Sequence, residues 1–477
     1  MSNAKNFYID GKWVAPVQAR DLAVIDPSTE EVCETISLGD QADTDAAVSA
    51  ARRAFASWGV SDPAARIAVA EKVLEVYKAR SEAMAQAISK EMGAPQDLAR
   101  AQQVGAGSWH LEGFIRAAKD FVWDHPLGDW APGERTVYEP IGVCALITPW
   151  NWPMNQIVLK VIPALLTGCT MVLKPSEIAP LSGILFSEIM DEAGVPAGVY
   201  NMVNGDGPGV GSQLSAHKDV DMVSFTGSTR AGRLISKAGA ETIKRISLEL
   251  GGKGANIIFA DADEKAVKQG VIRCFRNTGQ SCNAPTRMLV ERSRYDEALE
   301  QAAEAAAKVT VGPASEEGRH IGPAVSEVQF NKIQDLIQVG IDEGARLIAG
   351  GVGRPENLNR GYYIRPTVFA DVTPDMTIYR EEIFGPVLSI MPFDGEDEAV
   401  AIANDTEYGL TNYVQTGDVE KLRRVARQLR SGMVEGNGQG FAQGSPFGGY
   451  KQSGNGREGG RFGLHEFLET KAVSGWG

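Results

Sequence analysis

The sequence predicts an α/β protein with two doubly wound blocks, each a parallel sheet covered by helices on both faces. Strand-like runs alternate with helical stretches from Gly142 onward, and the same alternation begins again at about residue 255. The length agrees with this class, because 477 residues exceed one ordinary hydrophobic core and predict two or three domains.

The N-terminal part begins with strands and continues with helices. Residues Phe7 to Val14 alternate around Asp10-Gly11, which predicts a hairpin, and a second strand pair is predicted near residues 24 and 32–36. From about residue 44 to 117 the chain is rich in alanine, with apolar residues at helical spacing. This pattern predicts two or three amphipathic helices, the second of them starting after Asp62-Pro63.

The segment from Trp123 to Tyr138 carries proline and glycine between two strand-like ends, which predicts a projecting hairpin arm. The C-terminus is strand-like as well. Because both segments would leave unpaired strand edges in a monomer, we expect strand pairing between subunits and therefore a homo-oligomer. The sequence leaves a homodimer and a homotetramer both open.

The two α/β blocks follow the arm. In the first block the predicted strands are VCALI, TMVLK, VYNMV, DMVSF and ISLEL, and the predicted helices cover residues 154–167, 181–193, 208–216 and 229–239. In the second block, strands are predicted at 255–259 and 287–290, and helices at 298–309 and 329–343.

The composition is that of a soluble globular protein, with 43% hydrophobic and 23% charged residues. The net charge of −14 disfavours nucleic acid and membrane surfaces as partners, although a local donor pocket can still bind an anionic cofactor. The five cysteines show no CxxC spacing, and the N-terminus lacks a secretory signal. We therefore expect reduced thiols and a cytoplasmic location. The five histidines are isolated from one another and from cysteine, so no metal site is predicted.

Ligands of open parallel sheets bind beyond the carboxyl ends of the strands. In the first block, turns rich in glycine or serine follow VYNMV (residues 204–211) and DMVSF (residues 226–229), and each opens a helix. Two such turns suit a pyrophosphate, because the N–H groups and dipole of a helix N-terminus stabilise an anion. The spacing is not a strict G-x-G-x-x-G, and Arg233 stands where a P-loop requires lysine, so plain structural turns stay an alternative.

Cys282 lies in the polar segment Asn277 to Asn283, with no partner cysteine nearby. Small polar neighbours leave a sulfur accessible, whereas Cys144 in IGVCALI has the apolar surroundings of a structural cysteine. A thiol with a pKa of about 8.5 is a few per cent thiolate at neutral pH and is strongly nucleophilic. Cys282 is therefore a candidate nucleophile, and an inert loop cysteine is the alternative that the local sequence leaves open.

Seven segments in order resemble the NAD(P)-dependent aldehyde dehydrogenases of the hydrolytic, non-CoA-acylating type. They are TPWNWP (148–153), LKPSE (173–177), FTGST (225–229), LELGGK (248–253), NTGQSC (277–282), EEIFGPV (381–387) and SPFGGYKQSG (445–454). They cover nearly the whole chain with matching intervals, which chance does not explain. The resemblance implies a small-molecule aldehyde as the substrate.

The resemblance implies five catalytic residues. Cys282 is the implied nucleophile, and Asn151 is the side-chain donor that stabilises the oxyanion together with the backbone N–H of Cys282. Glu249 is the implied general base that activates water to hydrolyse the thioester. Lys160 and Glu458 correspond to a proton-relay pair, with a simple ion pair as the alternative. From the residues alone, Asn151 fits a turn cap and Glu249 fits a carboxylate paired to a lysine.

The resemblance also implies NAD as the cofactor in preference to NADP. The carboxylate of Glu177 can accept hydrogen bonds from ribose hydroxyls and would repel a 2′-phosphate. Implied contacts are Lys174 and Glu177 at the adenosine ribose, Ser228, Gly207 and Gly211 at the pyrophosphate, and Glu382 and Phe384 at the nicotinamide. The other residues implied to line the cofactor site are Ile147, Thr148, Pro149, Trp150, Ser176, Phe225, Thr226, Gly227, Leu250 and Gly251.

Three aromatic residues correspond to walls of the substrate pocket, namely Trp152, Phe441 and Phe447. The stretch Asn437-Gly438-Gln439-Gly440 carries glycine where several relatives carry bulkier groups. The resemblance therefore leaves the pocket width and the identity of the aldehyde open.

The implied fold is aldehyde dehydrogenase-like and has three parts. An NAD-binding domain comprises residues 1–120 and 140–251, a catalytic domain comprises 252–465, and a small β oligomerisation element comprises the arm at 121–139 and the tail at 466–477. Two alternative functions remain. A CoA-acylating semialdehyde dehydrogenase of the same fold characteristically lacks the base, so Glu249 argues against it. A non-catalytic structural protein, as in some lens crystallins, is disfavoured because the catalytic set is intact.

Overall fold

The computed structural model describes residues 1–476, and its strands form two seven-stranded sheets, a three-stranded sheet and a two-stranded sheet. The N-terminal segment contains β1 (Phe7–Ile9), β2 (Lys12–Val14), β3 (Asp21–Asp26), β4 (Glu31–Ser37), α1 (Gln41–Trp58), α2 (Pro63–Ala79), α3 (Ser81–Met92), α4 (Gln96–Leu98), α5 (Gly105–Lys119), β5 (Asp124–Pro126) and β6 (Glu134–Pro140). β1 pairs antiparallel with β2, and β3 with β4, where the two hairpins are predicted.

The helices of this segment are more numerous than the two or three predicted. Asp40 caps α1 by accepting hydrogen bonds from the N–H groups of Ala42 and Asp43, and Asp62 caps α2, where Pro63 occupies the first turn. Only Arg80 separates α2 from α3, and a π-helical stretch, Ala99–Val104, joins α4 to α5. Such close junctions read as continuous helical periodicity in the sequence, which explains the lower predicted count.

The first block contains β7 (Val143–Ile147), α6 (Pro153–Thr167), β8 (Thr170–Lys174), α7 (Leu181–Glu192), β9 (Tyr200–Met202), α8 (Ser212–Ala216), β10 (Met222–Thr226), α9 (Thr229–Ala240) and β11 (Arg245–Glu249). Its sheet, which we call the first sheet, has the order β11-β10-β7-β8-β9-β1-β2. Strands β7 to β11 are mutually parallel, and β7, β8 and β10 are buried along their full length. Burial on both faces is typical of parallel strands covered by helices.

The second block contains β12 (Ala255–Ile258), α10 (Ala266–Phe275), β13 (Arg287–Glu291), α11 (Tyr295–Ala307), α12 (Glu327–Asp342), β14 (Arg346–Ala349), β15 (Thr367–Ala370), α13 (Thr377–Arg380), β16 (Val387–Phe393), α14 (Gly395–Asn404), β17 (Thr411–Gln415), α15 (Val419–Gln428) and β18 (Met433–Gly436). Its sheet, the second sheet, has the order β14-β15-β16-β13-β12-β17-β18, and only β14 runs antiparallel to its neighbour.

The C-terminal segment, α16 (Gly460–Glu466) and β19 (Leu468–Ser474), returns to the first block. β19 pairs antiparallel with β6 over seven residues, and β5 pairs with the other edge of β6. The predicted arm and tail therefore satisfy each other within one chain, which corrects the expectation that both are unpaired in a monomer. The open edges are the outer sides of β5 and β19. Gly477, part of the predicted tail, lies outside the described residues.

Within residues 1–476, no helix is long and apolar enough to cross a bilayer, and no group of three or more His, Cys, Asp or Glu side chains could hold a metal ion.

Candidate active site

The loop that carries Cys282 begins with a backbone turn of unusual hand. Helix α10 ends at Phe275, and the next residues Asn277, Thr278 and Gly279 have φ angles of 53°, 59° and 69°. A left-handed conformation is costly for a β-branched residue such as threonine. Thr278 is held there because its hydroxyl donates to the carbonyl of Gly322 at 2.9 Å. The turn reverses the chain and directs Cys282 toward the first block.

Asn151 is anchored by a network that includes this same loop. Its carbonyl accepts hydrogen bonds from the side-chain amides of Asn277 (2.9 Å) and Gln103 (3.1 Å). Its own amide nitrogen donates to the carbonyl of Gln280 at 3.2 Å, which leaves the second N–H of that amide available. Asn151 is therefore a fixed donor beside Cys282, and a turn cap is not its role here.

Cys282 lies where two cavities meet. The first, about 210 Å³, is lined by Pro149, Trp150, Asn151, Thr226, Gly227, Ser228, Leu250, Gly251, Cys282, Gln329, Lys332, Glu382 and Phe384. The second, about 250 Å³, is lined by Ala106, His110, Trp152, Asn155, Gln156, Leu159, Arg273, Arg276, Ser281, Cys282, Asn283, Ala284, Pro285 and Phe447. We call these the cofactor cavity and the substrate cavity. The sulfur has access to both.

The surroundings of Cys282 favour its thiol form over the thiolate. The residue is half-buried at the junction of the cavities. Removal from bulk water, and then the negative charges of Glu382 and Glu249, raise the pKa of Cys282 far above its usual value. Nucleophilic attack therefore requires a base or a change in the local charge.

Glu249 ends β11 and lies close to the Cys282 loop. A Cβ placed on Gly252, three residues further on, would lie 2.3 Å from the carbonyl oxygen of Cys282. The Glu249 carboxyl is buried, and neither of its oxygens has a hydrogen-bond partner among residues 1–476. Burial, and then the charge of Glu458, raise the pKa of Glu249 well above its usual range. A buried, unpaired carboxyl of raised pKa is a suitable general base.

Lys160 and Glu458 form a buried ion pair behind Glu249. Their nitrogen and oxygen are 2.5 Å apart, and both residues are buried. Both charges of the pair act on Glu249, Glu458 by raising its pKa and Lys160 by opposing that effect, and a Cβ at Gly448 would lie 2.6 Å from a carboxyl oxygen of Glu249. The three ionisable groups therefore form one continuous buried cluster.

Glu382 and Phe384 form the wall of the cofactor cavity that faces Gly252. A carboxyl oxygen of Glu382 accepts the N–H of Gly252 at 2.8 Å, and burial raises the pKa of Glu382 to about 7. Phe384 has a φ of 60° and packs edge-on against Trp150 at a centroid distance of 5.5 Å. Gln329 supports this loop by donating to the carbonyl of Phe384 at 3.0 Å.

A third cavity of about 340 Å³ lies further along the first sheet. Four residues implied to contact the cofactor line it, namely Ile147, Gly207, Gly211 and Phe225. At the ends of β7 and β10, the hydroxyls of Thr148 and Thr226 are buried without partners among the described residues. Such orphaned donors at neighbouring strand ends fit a polar ligand.

The remaining cofactor residues lie along the same edge. Lys174 is paired with Glu177 at 2.9 Å, and the hydroxyl of Ser176 accepts the N–H of Ile178 at 3.3 Å. Ser228 caps α9 by accepting the N–H of Ala231. At the end of β8, the carboxylate of Glu177 therefore compensates the charge of the Lys174 ammonium group.

Of the three predicted pocket aromatics, Trp152 and Phe447 line the substrate cavity. The indole N–H of Trp152 donates to the hydroxyl of Ser281 at 2.7 Å, which fixes this wall to the nucleophile loop. Phe441 is not among the residues that line this cavity and is 40% exposed, and its place in the pocket stays a prediction. The backbone before it has positive φ at Asn437 and Gly438.

Residues 13–473 match the model of the aldehyde dehydrogenase family. This chain belongs to the aldehyde dehydrogenase family. A curated relative named 3-succinoylsemialdehyde-pyridine dehydrogenase, from a Pseudomonas species, is 53% identical over all of this chain and 99% of its own length. Putative aldehyde dehydrogenases from staphylococci are also similar, for example one from Staphylococcus saprophyticus at 45% identity over the full length of both chains.

Solved structures of aldehyde dehydrogenases share the whole fold. An aldehyde dehydrogenase from Bartonella henselae is 60% identical, covers 99% of both chains and has a TM-score of 0.98. A cysteine-to-alanine variant from Pseudomonas syringae, in complex with NAD+ and octanal, is 49% identical over 100% of this chain and 98% of its own, with a TM-score of 0.98. The protein is thus an aldehyde dehydrogenase, an NAD-dependent oxidoreductase whose family oxidises aldehydes through a cysteine.

Several residues of the aldehyde dehydrogenase site escaped the sequence analysis. Gln103, Asn277 and Gln329 act through hydrogen bonds to backbone carbonyls, which leave no local pattern in the sequence. Arg276 is different, because it stands inside the segment FRNTGQSC just ahead of the nucleophile. A charged residue so close to the candidate nucleophile is a sequence signal by which Arg276 could have been predicted to line the site.

Proposed function

We propose that this aldehyde dehydrogenase oxidises an aldehyde to the carboxylate with NAD, using Cys282 as nucleophile and Glu249 as general base. The observation that supports this most directly is the position of Cys282 between the cofactor cavity and the substrate cavity. A carbonyl carbon in one cavity and a hydride acceptor in the other can therefore both reach one sulfur.

Cys282 and Asn151 perform the first step. The thiol of Cys282 gives its proton to solvent water as the sulfur forms a bond to the aldehyde carbon, and the electron pair of the carbonyl π bond moves to the oxygen, which becomes an alkoxide. The free N–H of the Asn151 amide and the backbone N–H of Cys282 donate to this oxygen. Asn277 and Gln103 fix the Asn151 backbone, so the donor requires little reorganisation during the reaction.

Glu249 performs the second half of the reaction. As the base, it takes a proton from water while the water oxygen attacks the thioester carbon, and the C–S bond then breaks to release the carboxylate and Cys282. The proton passes on toward Glu458 and Lys160, whose charges already act on Glu249. Burial raises the pKa of Glu249, which makes its carboxylate a stronger base than an exposed glutamate.

NAD supplies a hydride acceptor when it is bound. Glu382 and Phe384 would hold its nicotinamide end, Ser228, Gly207 and Gly211 its pyrophosphate, and Lys174 with Glu177 its adenosine ribose. The orphaned hydroxyls of Thr148 and Thr226 fit this occupancy. We propose NAD over NADP because the Glu177 carboxylate would repel a 2′-phosphate.

We also propose a homo-oligomer in a cytoplasmic compartment. The outer edges of β5 and β19 have no strand partner among residues 1–476, and exposed edges of this kind favour pairing with a second copy. The five cysteines are unpaired, as expected in a reducing compartment. Light scattering coupled to size exclusion distinguishes a monomer from a dimer and a tetramer.

The decisive experiment measures NADH formation with aldehydes in the absence of CoA. Steady NADH formation supports hydrolytic oxidation, whereas dependence on CoA would identify the acylating alternative. The Cys282→Ser variant should lose aldehyde-dependent NADH formation by at least about 10³-fold while NAD binding is retained, because a hydroxyl is a far weaker nucleophile than a thiolate. Cys33→Ser, a half-buried cysteine on β4, is the matched control and should keep full activity.

A further inference from the structure

One wall of the substrate cavity is a face of helix α6, and this face is both apolar and polar. The cap residue Trp152 and the helical residues Asn155, Gln156 and Leu159 line the cavity. Their spacing of three and four residues places them on one side of the helix. Because α6 begins directly after Asn151, this side adjoins the amide that is proposed to stabilise the oxyanion.

The amide of Gln156 is buried and incompletely hydrogen-bonded. The residue is 3% exposed, and its Oε1 has no hydrogen-bond partner among residues 1–476. The buried amide of Gln280 differs, because it accepts the N–H of Val325 at 2.9 Å and donates to the carbonyl of Asn277 at 3.2 Å. Since buried polar atoms are normally paired, the oxygen of Gln156 is available to a hydrogen-bond donor in the cavity.

The amide of Asn155, the neighbouring residue, is oriented by His110. Nε2 of His110 lies 2.9 Å from Oδ1 of Asn155. Burial lowers the pKa of His110 to about 4, so the ring is neutral at physiological pH. Because an amide oxygen can only accept, Nε2 carries the hydrogen. The NH2 group of Asn155 has no second partner among residues 1–476 and is available as a donor.

The cavity wall therefore presents an unused donor and an unused acceptor on adjacent residues of one helix. A hydroxyl group both accepts and donates a hydrogen bond, so a single hydroxyl can satisfy Asn155 and Gln156 together. A methyl group in its place would leave both amides unpaired. A carboxylate has no hydrogen to donate and would place its charge against the Gln156 oxygen.

We propose that Asn155 and Gln156 select aldehydes that carry a hydroxyl group on the first or second carbon beyond the aldehyde carbon. The hydroxyl oxygen accepts from Nδ2 of Asn155, and its hydrogen is donated to Oε1 of Gln156. The separation is short because the cavity holds only about 250 Å³ and α6 starts beside Asn151. This inference rests on the proposed function, because it places the aldehyde carbon at Cys282.

The test compares kcat/KM for glycolaldehyde with propanal and for 3-hydroxypropanal with butanal, since each pair exchanges a hydroxyl for a methyl group. Concentrations refer to the free aldehyde, because the hydroxylated compounds are more extensively hydrated. At least one hydroxylated aldehyde should be favoured tenfold or more, mainly through a lower KM. Gln156→Met keeps the side-chain length and should lower that ratio by about tenfold to 100-fold, while kcat/KM for propanal and butanal changes less than about threefold.

Asn155→Leu removes the donor instead of the acceptor and should lower the same ratio, which gives a second test if Gln156→Met does not fold. Gln338→Met, at an exposed position of α12, is the control and should leave the ratio unchanged. Thermal melts and the oxidation of butanal show whether each variant is folded.

A native enzyme without preference in either pair would overturn the inference, because ordered water would then satisfy both amides. Retention of the preference in both Gln156→Met and Asn155→Leu would overturn it as well. If propanal and butanal are oxidised without such a preference, only this inference fails. If no aldehyde yields NADH, the proposed function fails and this inference fails with it.

Discussion

The two seven-stranded sheets present opposite ends to the active site. The first sheet contributes residues at or just beyond the carboxyl ends of β7, β8, β10 and β11, namely Thr148, Asn151, Lys174, Ser228 and Glu249. The second sheet contributes residues that precede the amino ends of β12, β13 and β16, namely Gly252, Cys282, Glu382 and Phe384. The active site therefore lies between the carboxyl ends of strands in the first sheet and the amino ends of strands in the second sheet.

Because of this difference, the first sheet provides helix N-termini that can bind an anion, and the second sheet provides the loop that carries the nucleophile. Helices α6 and α9 begin beyond the carboxyl ends of β7 and β10, so their N-termini favour the negative charge of a dinucleotide. The amino end of β13 is reached from the end of α10 through the left-handed turn at Asn277 to Gly279. A helix C-terminus has the opposite polarity and does not favour an anion. The raised pKa of Cys282 has other causes, namely burial and then the charges of Glu382 and Glu249.

The largest expected effect comes from a substitution of Glu249, the base that the first sheet supplies. Glu249→Gln keeps the side-chain shape and removes the proton acceptor, so turnover should fall by about 10²- to 10⁴-fold. The first turnover should still release about one NADH per active site, because hydride transfer precedes hydrolysis. Stopped-flow absorbance measures the burst and the stall. Glu381→Gln, an exposed neighbour of Glu382, should behave as native.

The pH dependence identifies the same residue. Because the pKa of Glu249 is raised, the carboxyl becomes protonated as pH falls through that raised value, and hydrolysis should slow there. Glu249→Gln should lack this acidic limb. Native-like turnover in the variant, or an unchanged acidic limb, would show that another group activates water.

The second largest effect is expected from substitutions of Asn151 and Asn277, whose hydrogen bonds join the two sheets. Asn151→Ala should lower kcat by about 10²- to 10³-fold, since one oxyanion donor is lost. Asn277→Ala removes the side-chain hydrogen bonds to the carbonyls of Asn151 and Gln280 but leaves the oxyanion donor in place, and it should lower kcat by roughly 5- to 10-fold. Steady-state kinetics with thermal melts separates misplacement from unfolding. Equal losses in the two variants would mean that the loop, and not the amide donor, limits the reaction.

The smallest effect concerns the first sheet alone. Glu177→Gln should improve the efficiency with NADP relative to NAD by about tenfold, equivalent to about 1.4 kcal/mol, because the 2′-phosphate no longer meets a carboxylate and the ammonium of Lys174 is released. The ratio of kcat/KM for the two cofactors is the measurement. Glu241→Gln, an exposed acid beyond α9, is the control for net charge. A native enzyme that already uses both cofactors equally would refute the role given to Glu177.

The first sheet could be predicted well because its strands are short buried runs that alternate with helices. The outer part of the second sheet could not. β18 has the sequence MVEG, and its Glu435 is buried because Arg273 on α10 neutralises it. Such compensation between distant residues is not visible in local periodicity.

The active site likewise has a part that the sequence alone predicts and a part that it does not. Strand ends and glycine turns indicate a phosphate site from the residues alone, whereas Asn151 and Glu249 gained their roles from the family resemblance. The unusual pKa of Glu249 depends on Glu458, which follows far along the chain and reaches it only in the folded protein. Local sequence could not have supplied that electrostatic coupling.

The return of the last residues to the first block has a consequence for synthesis. Glu458 joins Lys160 on α6, and β19 completes the sheet begun by β6, so the earliest-made lobe is finished by the latest-made segment. Until the last residues leave the ribosome, a nascent chain therefore lacks the partner of Lys160 and the strand that pairs with β6, so the first lobe is completed only at the end of synthesis.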